Sequence, residues 1–438
     1  MSQICLIKSE GGKSFVGIKY KENRLEFYYP ETFRWNGAIK DNYPLNAPDE
    51  KVVQGIRMIL SSIELAGKRS NEKTEQHDAS DAEESFAMKS YLWIMQDFFK
   101  NGSYKNRESV FKTNQKGKIN WKRTMAKLPM CSDGSFIYKD FVVSTKNQTY
   151  NLLVEIYSFC VRKSIYLMGW LHGIRSSSMG AKRPEDVELP LGVKKRYRHA
   201  ICQEIERTFD DEKRQRLNHM LNIVNGLNKT KKGELVCGVS GYDHVFEAAV
   251  NSVFGTVDNL SEYNPHGKWS DSTIAEDSIK DNTLRLDALL KNGSTYIVID
   301  AKCYRYADVG YVSNKGAGLP AVDSIQKQIT YGDSVRTKAT LMGETPEIYN
   351  CFLIPYNKSQ NYGPHKATET FLQDTGLFAT ADWRSGSYEY EKVYAFFVDL
   401  RDLLEKLWER DHSEDQQALI EAIKTATAKH SAQGSAVV

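Results

Sequence analysis

Residues Leu284–Tyr304 read LRLDALLKNGSTYIVIDAKCY, and they decide the reading of this chain. Asn292-Gly293 lies between two apolar runs of strand length, Leu284–Leu290 and Thr295–Tyr304. Both residues accept the positive φ of a type I′ turn, so the stretch predicts a β-hairpin. With Lys291 and Ser294 flanking that turn, Asp287 falls opposite Val298. Side chains alternate along a strand, so Val298, Asp300 and Lys302 share a face and Asp287 joins them. The two carboxylates are then diagonal neighbours within joint reach of one divalent cation. Hard oxygen ligands suit Mg²⁺, which takes one or two protein carboxylates and keeps its other positions for water and phosphate oxygens. A lysine one step along the same face can orient an attacking water. The pattern predicts metal-assisted phosphodiester hydrolysis; the alternative is a solvated, salt-bridged strand face.

The flanks add candidates. Upstream, Val245, Phe246, Ala249, Val250, Val253 and Phe254 recur at helical spacing, with Ser240 or Asp243 as the cap. Glu247 borders that stripe, either as a core-edge acid or as a carboxylate aimed at the metal. Downstream, Val322–Tyr331 reads as a helix beginning near Asp323 or Ser324, with Gln328 and Tyr331 on one side. Those two either orient the scissile phosphate or bind water.

Taken together, Glu247, Asp287, Asp300-Ala301-Lys302 and Lys327-Gln328-Ile329-Thr330-Tyr331 resemble the core of the PD-(D/E)xK nucleases. Leu286 stands where that pattern often has proline, and the middle acid is Asp rather than Glu; both variants occur in the superfamily. Gly117-Lys118-Ile119-Asn120-Trp121-Lys122-Arg123-Thr124 resembles the G-x-I-N-W-x-R-T segment of LlaJI-like restriction endonucleases and of their relatives among McrC-type nuclease subunits. The resemblance implies a restriction-endonuclease-like mixed β-sheet core flanked by helices, with a mixed α/β recognition region N-terminal to it. It implies Mg²⁺ held by Asp287, Asp300 and the Ala301 carbonyl, with Mn²⁺ as a substitute. Glu247 then assists directly or through water, Lys302 positions and activates the nucleophilic water, and Gln328 completes the catalytic set. The expected activity is that of a type II restriction endonuclease cutting double-stranded DNA at a short specific sequence, as a homodimer and beside a cognate methyltransferase. McrC-type resemblance implies instead a cutting subunit for a separate NTPase, and no G-x-x-x-x-G-K-[ST] loop is found in the chain itself. A non-cleaving, sequence-specific DNA-binding protein is the remaining alternative.

The rest of the sequence frames this reading. A chain of 438 residues predicts two or three domains. With 41% hydrophobic and 11% aromatic residues it is globular rather than disordered. No apolar run approaches a membrane span, and MSQICLIKSEGG lacks the pattern of a secretory signal. Seven dispersed cysteines without a C-x-x-C pair fit reduced thiols, so a cytoplasmic setting is expected. The net charge of +3 hides an asymmetry: Asn101–Met130 carries eight Lys or Arg against Glu108 alone. Lys118, Lys122 and Arg123 fall there beside Asn120, and Lys194-Lys195-Arg196 and Lys229 with Lys231-Lys232 form further clusters. Such donors suit phosphate, and the interleaved Tyr104, Phe111, Trp121 and Tyr197 either stack on bases or buttress the backbone. Arg123 equally suits a structural role.

Element by element, Phe15–Lys19 and Arg24–Tyr29 predict a hairpin, Val52–Ala66 and Ala87–Lys100 helices, and Lys68–Ser85 a polar junction. Phe136–Val143 reads as strand, Tyr150–Leu171 and Tyr197–Leu227 as helices, Tyr349–Pro355 and Lys392–Val398 as strands, and Asp399–Arg410 as a capped helix. Gly310–Leu319 and Asn357–Pro364 read as loops that approach DNA, with His365 and Lys366 beside the second. The expected division is a recognition region over 1–235, subdivided near 68–85, a nuclease domain over 236–412, and a helix end with a frayed tail over 413–438.

Overall fold

The computed structural model describes residues 3–9, 14–21, 24–44, 49–73, 82–104, 107–127, 129–132, 135–148, 152–174, 189–225, 235–267, 282–303, 318–361 and 366–434. Lys229, Lys231, Lys232 and His365 lie outside them, as does most of the loop expected at Gly310–Leu319. The chain forms two compact units, one from Met1–Ser85 and Thr230–Val438 and the other from Phe86–Lys229.

The first unit opens with β1 (Gln3–Ser9), β2 (Phe15–Lys21), β3 (Arg24–Pro30) and β4 (Asn42–Pro44), followed by α1 (Glu50–Lys73). β2 and β3 make the expected hairpin, closing at Lys21 and Arg24. β1 runs parallel to β3 and antiparallel to β4. Val52, Val53, Ile56, Ile59, Leu60 and Ile63 are buried, an i, i+3, i+4 stripe that seats α1 in the core.

The second unit holds α2 (Ala82–Asn101), β5 (Arg107–Thr113), β6 (Lys118–Ile119), α3 (Trp121–Met125), β7 (Met130–Ser132), β8 (Ser135–Ile137), β9 (Val142–Gln148), α4 (Leu152–Met168), α5 (Leu191–Arg207) and α6 (Asp211–Asn225). β5, β9 and β6 form a small antiparallel sheet, and β7 pairs with β8. The strand expected over Phe136–Val143 is thus two strands, interrupted at residues 138–141. The helical stretch expected over Tyr197–Leu227 is likewise two helices, parted at residues 208–210, where Asp210 accepts a hydrogen bond from Lys213 N. Asp97 anchors this helical part. Its carboxylate accepts from Arg216 Nε (2.8 Å), Arg216 Nη2 (2.9 Å), Tyr157 Oη (2.7 Å) and Asn101 Nδ2 (2.8 Å).

The first unit then resumes with β10 (Leu235–Ser240), α7 (Asp243–Phe254), β11 (His266–Gly267), β12 (Asn282–Thr283), β13 (Ala288–Asn292), β14 (Thr295–Ala301), α8 (Val322–Leu341), β15 (Glu347–Tyr356), β16 (Leu372–Ala379), β17 (Val393–Asp399), α9 (Leu400–Lys406) and α10 (Ser413–Gly434). β10 is an edge strand of the N-terminal sheet, whose order is β10-β2-β3-β1-β4. The compact units part at residues 85/86 and 229/230, so Met1–Ser85 groups with the C-terminal segment. A second mixed sheet has the order β13-β14-β15-β17-β16, with β14, β15 and β17 parallel and an antiparallel strand at each edge. Helices flank it, as expected of the fold class. Asp399 caps α9 through Asp402 N and, with Asp402, holds Arg34 of the N-terminal segment and Lys358. β16 had no counterpart in the sequence reading, because Gly376 (φ 68°) and a register shift between Asp374 and Phe378 break its alternation. Residues 430–434, read as tail, continue α10, which Leu419, Ile420, Ile423 and Ala426 bury. Among the described residues, no helix is long and apolar enough to cross a membrane.

Asp97 is held below the ordinary carboxylate value; burial opposes this, and the bonds from Arg216, Tyr157 and Asn101 overcome it. A depressed folded pKa stabilises above the unfolded value of 3.8 and is lost as pH falls through the folded one. Asp97→Ala, which removes two of the bonds to the largely buried Arg216 and leaves it Glu212, is expected to destabilise the fold by about 3 kcal/mol at neutral pH. Urea unfolding checks this: the difference from wild type persists at pH 7 and shrinks below pH 3.8.

Candidate active site

β14 is buried along its whole length, the pattern of a strand covered on both faces in a parallel sheet. Tyr296 and Val298 pack with Tyr331, Val335 and Ala339 of α8. Asp300, two residues further along that face, is only 7% exposed. The hairpin before it differs from the expected register. Asn292 pairs with Thr295 and Leu289 with Val298, so the turn is Gly293-Ser294, with Gly293 at φ 59°. A two-residue loop with glycine first fits the backbone twist of a tight hairpin, and Asn292 stays in the ladder. The slip is an even number of residues, so every side chain keeps its face. It also draws the acids closer: Ala288 pairs with Ile299, and Asp287, the next residue outward, adjoins Asp300.

Electrostatics follow from that placement. Burial pushes the Asp300 carboxyl well above its ordinary value, Asp287 pushes it further by charge and hydrogen bonding, and Lys302 pulls it back. Lys302 Nζ lies 2.9 Å from Asp300 Oδ1. Asp287 Oδ2 accepts from Ala301 N at 3.0 Å, so the backbone of one acid's strand supports the other acid. Lys302 N donates to Leu353 O of β15, which carries the ladder one residue past β14. Glu247, on α7, is half-buried; burial and then Asp287 raise its pKa, while His244 Nδ1, 3.4 Å from Glu247 Oε2, opposes them. Tyr331 feels the same acids: burial, Asp300 and Asp287 push its hydroxyl up to about 12. Cys303 is pushed upward by burial, which leaves it a poor nucleophile.

Glu247, Asp287, Asp300 and Lys302 are thus brought into one electrostatic neighbourhood, and the donor set of carboxylates with the Ala301 carbonyl is of the kind a hard divalent cation takes. Their ligand atoms do not close on a common point in the way those of Glu409, His412 and Asp415 do, which lie within 4.8 Å of one another. In that second group Lys406 already neutralises Asp415 at 2.9 Å. Gln328 does not sit where a phosphate can reach. It is 0% exposed, and its Nε2 donates to Val298 O (2.8 Å) and Cys351 O (3.4 Å), tying α8 to β14 and β15.

The basic candidates also separate. Asn120 caps α3 by accepting from Arg123 N, and the Arg123 guanidinium stacks 3.7 Å from the centre of the Phe111 ring. Lys194 Nζ donates to Asn225 O at 2.6 Å. Arg196 comes within 4.0 Å of Glu155. Lys118, Lys122 and Lys195 are exposed. Sequence reasoning missed Asn264 and His244, since a single amide or imidazole beside a motif carries no periodic signal.

The site is thus a mixed sheet whose buried second strand carries an acid next to its carboxyl end, with a second acid and a lysine beside it. The family model of the LlaJI restriction endonuclease matches residues 15–373. The chain belongs to that family, and is thereby a nuclease of restriction type. No curated protein matches it. Among solved structures it is similar to a half-complex from the tetradecameric assembly of Thermococcus gammatolerans McrB AAA+ hexamers with bound McrC, at 14% identity and TM-score 0.38, over 88% of this chain and 77% of that one. The cryo-EM structure of the McrBC complex from the same organism aligns at 14% identity and TM-score 0.25, over 54% of this chain and 64% of that one.

Asp300 makes a signed prediction for stability in chelator. Its folded pKa is raised, so the folded state binds more protons and loses stability as pH rises from 3.8 through the folded value. Asp300→Asn is therefore expected to unfold later than wild type by about 1 kcal/mol at neutral pH. The gain disappears below pH 3.8. Thermal unfolding of both proteins across that range measures it, and a wild type of equal stability at every pH would contradict the buried repulsion.

Proposed function

We propose that the chain is a Mg²⁺-dependent endonuclease of the PD-(D/E)xK type that hydrolyses double-stranded DNA at a short specific sequence. What carries the reading is the burial of Asp300 against Asp287, with Lys302 Nζ 2.9 Å from Asp300 Oδ1. Two acids in a dry position repel each other, and a divalent cation removes that repulsion while a lone ammonium only offsets it. Asp287, Asp300 and the Ala301 carbonyl would hold the ion, with Glu247 assisting. When bound, the metal supplies charge stabilisation to the scissile phosphate. Lys302 Nζ then serves two ends, orienting the attacking water by hydrogen bonding and offsetting charge on the phosphate. Gln328 keeps β14 in register with α8, a role in support of the site. Lys118, Lys122, Lys195 and Arg196 are assigned to the DNA backbone, where a fixed position in sequence is less important than positive charge. A homodimer would present one site to each strand.

Cleavage of an unmethylated plasmid of mixed sequence tests the reading. Wild type with Mg²⁺ is expected to give discrete fragments, EDTA to stop them and Mn²⁺ to restore them. Asp300→Ala and Lys302→Ala are each expected to slow cutting on the order of 10³-fold. Intact plasmid with wild type alone, and fragments once a partner NTPase is supplied, would make the chain a cutting subunit. Cutting retained by both variants would sink the site.

A further inference from the structure

Asp287 precedes the first residue of β13, so the ladder of the sheet does not hold it in place. Its segment is held from outside by three bonds. Tyr331 Oη donates to Arg285 O at 2.7 Å, Leu286 N donates to Asn264 Oδ1 at 3.0 Å, and Leu284 N donates to Pro265 O at 3.1 Å. Asn264 in turn follows Tyr263, whose carbonyl accepts from Ser334 Oγ at 2.7 Å. Tyr331 and Ser334 stand three apart on α8 and so share a side of the helix. Two hydroxyls of one helix face therefore grip two neighbouring backbone segments, and the Asn264 amide joins those segments to each other one residue before Asp287. The short pairing of His266 with Thr283 continues the same strip away from the site.

We propose that Tyr331, Asn264 and Ser334 are positioning residues that place the Asp287 carboxylate beside Asp300 for a divalent cation. None of them needs to touch the ion or the substrate. Tyr331 fixes the carbonyl two residues before the acid, Asn264 fixes the amide one residue before it, and Ser334 ties the Asn264 segment to the same helix. The Asp287 side chain is then completed by Ala301 N, so its direction is set from both ends. A positioning role differs from a purely structural one in what it changes: the affinity of the site for metal rather than the stability of the fold. The proposal rests on the metal-site reading above.

Calorimetric titration of Mn²⁺ into the full-length chain without DNA tests it, with thermal unfolding run alongside. Tyr331→Phe, which removes one hydroxyl, and Asn264→Ala are each expected to weaken Mn²⁺ binding about tenfold, the scale of a lost outer-layer partner. Unfolding temperatures are expected to stay within about 2 °C of wild type. Asn264→Asp keeps an acceptor for Leu286 N and is expected to recover binding, while Asp287→Ala loses it. Wild-type affinity in both Tyr331→Phe and Asn264→Ala, with binding lost in Asp287→Ala, would overturn the positioning role and leave the metal site standing. Weakening that only tracks a fall in unfolding temperature would also overturn it. Equal binding by wild type and Asp287→Ala, or none by wild type, would bring down the metal-site reading and the positioning role together.

Discussion

Two carboxylates meet at the dry end of β14, and their repulsion is the constraint to which the surrounding structure answers. A lone acid in that position would shed its charge by taking up a proton. Asp300 is moved in that direction by burial and by Asp287, and Lys302 opposes the move. The strand that carries it is buried throughout and sits between β13 and β15. Asp300 also lies at the carboxyl end of β14, beside the parallel β15, the end of an open parallel array at which ligand sites gather.

Much of this was legible in the sequence, and the failures are instructive. The hairpin was predictable because apolar runs and a glycine turn are local signals. Its register was not, since Asn-Gly and Gly-Ser both close a two-residue loop. Parity kept Asp287 on the face of Asp300, because an even slip leaves faces unchanged. The helix of Gln328 was foreseen, but its direction was not: Gln328 and Tyr331 share a side, and only the packed structure shows that the amide meets the backbone of Val298 while the tyrosine reaches Arg285. β16 escaped notice because a bulged edge strand carries no clean alternation.

Charge counting had a different blind spot. The eight cations of Asn101–Met130 look alike in sequence, yet Arg123 stacks on Phe111, and in the later cluster Lys194 is bonded to a helix-terminal carbonyl. Asn120 is occupied as the cap of α3. Cations used by the fold are poor candidates for phosphate, because freeing them exposes the partner they satisfied. What remains for DNA is the exposed subset, and composition alone cannot divide the two.

The position of Asp287 shows why a site of this kind need not be built wholly on strands. A ladder places side chains in steps of about 3.3 Å, so an acid inside it can be moved only by a full step. An acid just beyond the ladder, tethered by side chains, can be set at an intermediate position. The Tyr331 ring is buried against the core that contains Tyr296 and Val298, so the tether to Arg285 O is anchored in the same packing as the sheet. On the positioning proposed above, the Asp300 strand supplies the fixed half of the pair and the α8 tethers the adjustable half. For two acids that share an ion, as proposed, the spacing would be set by combining the two, which neither the sheet nor the loop provides alone.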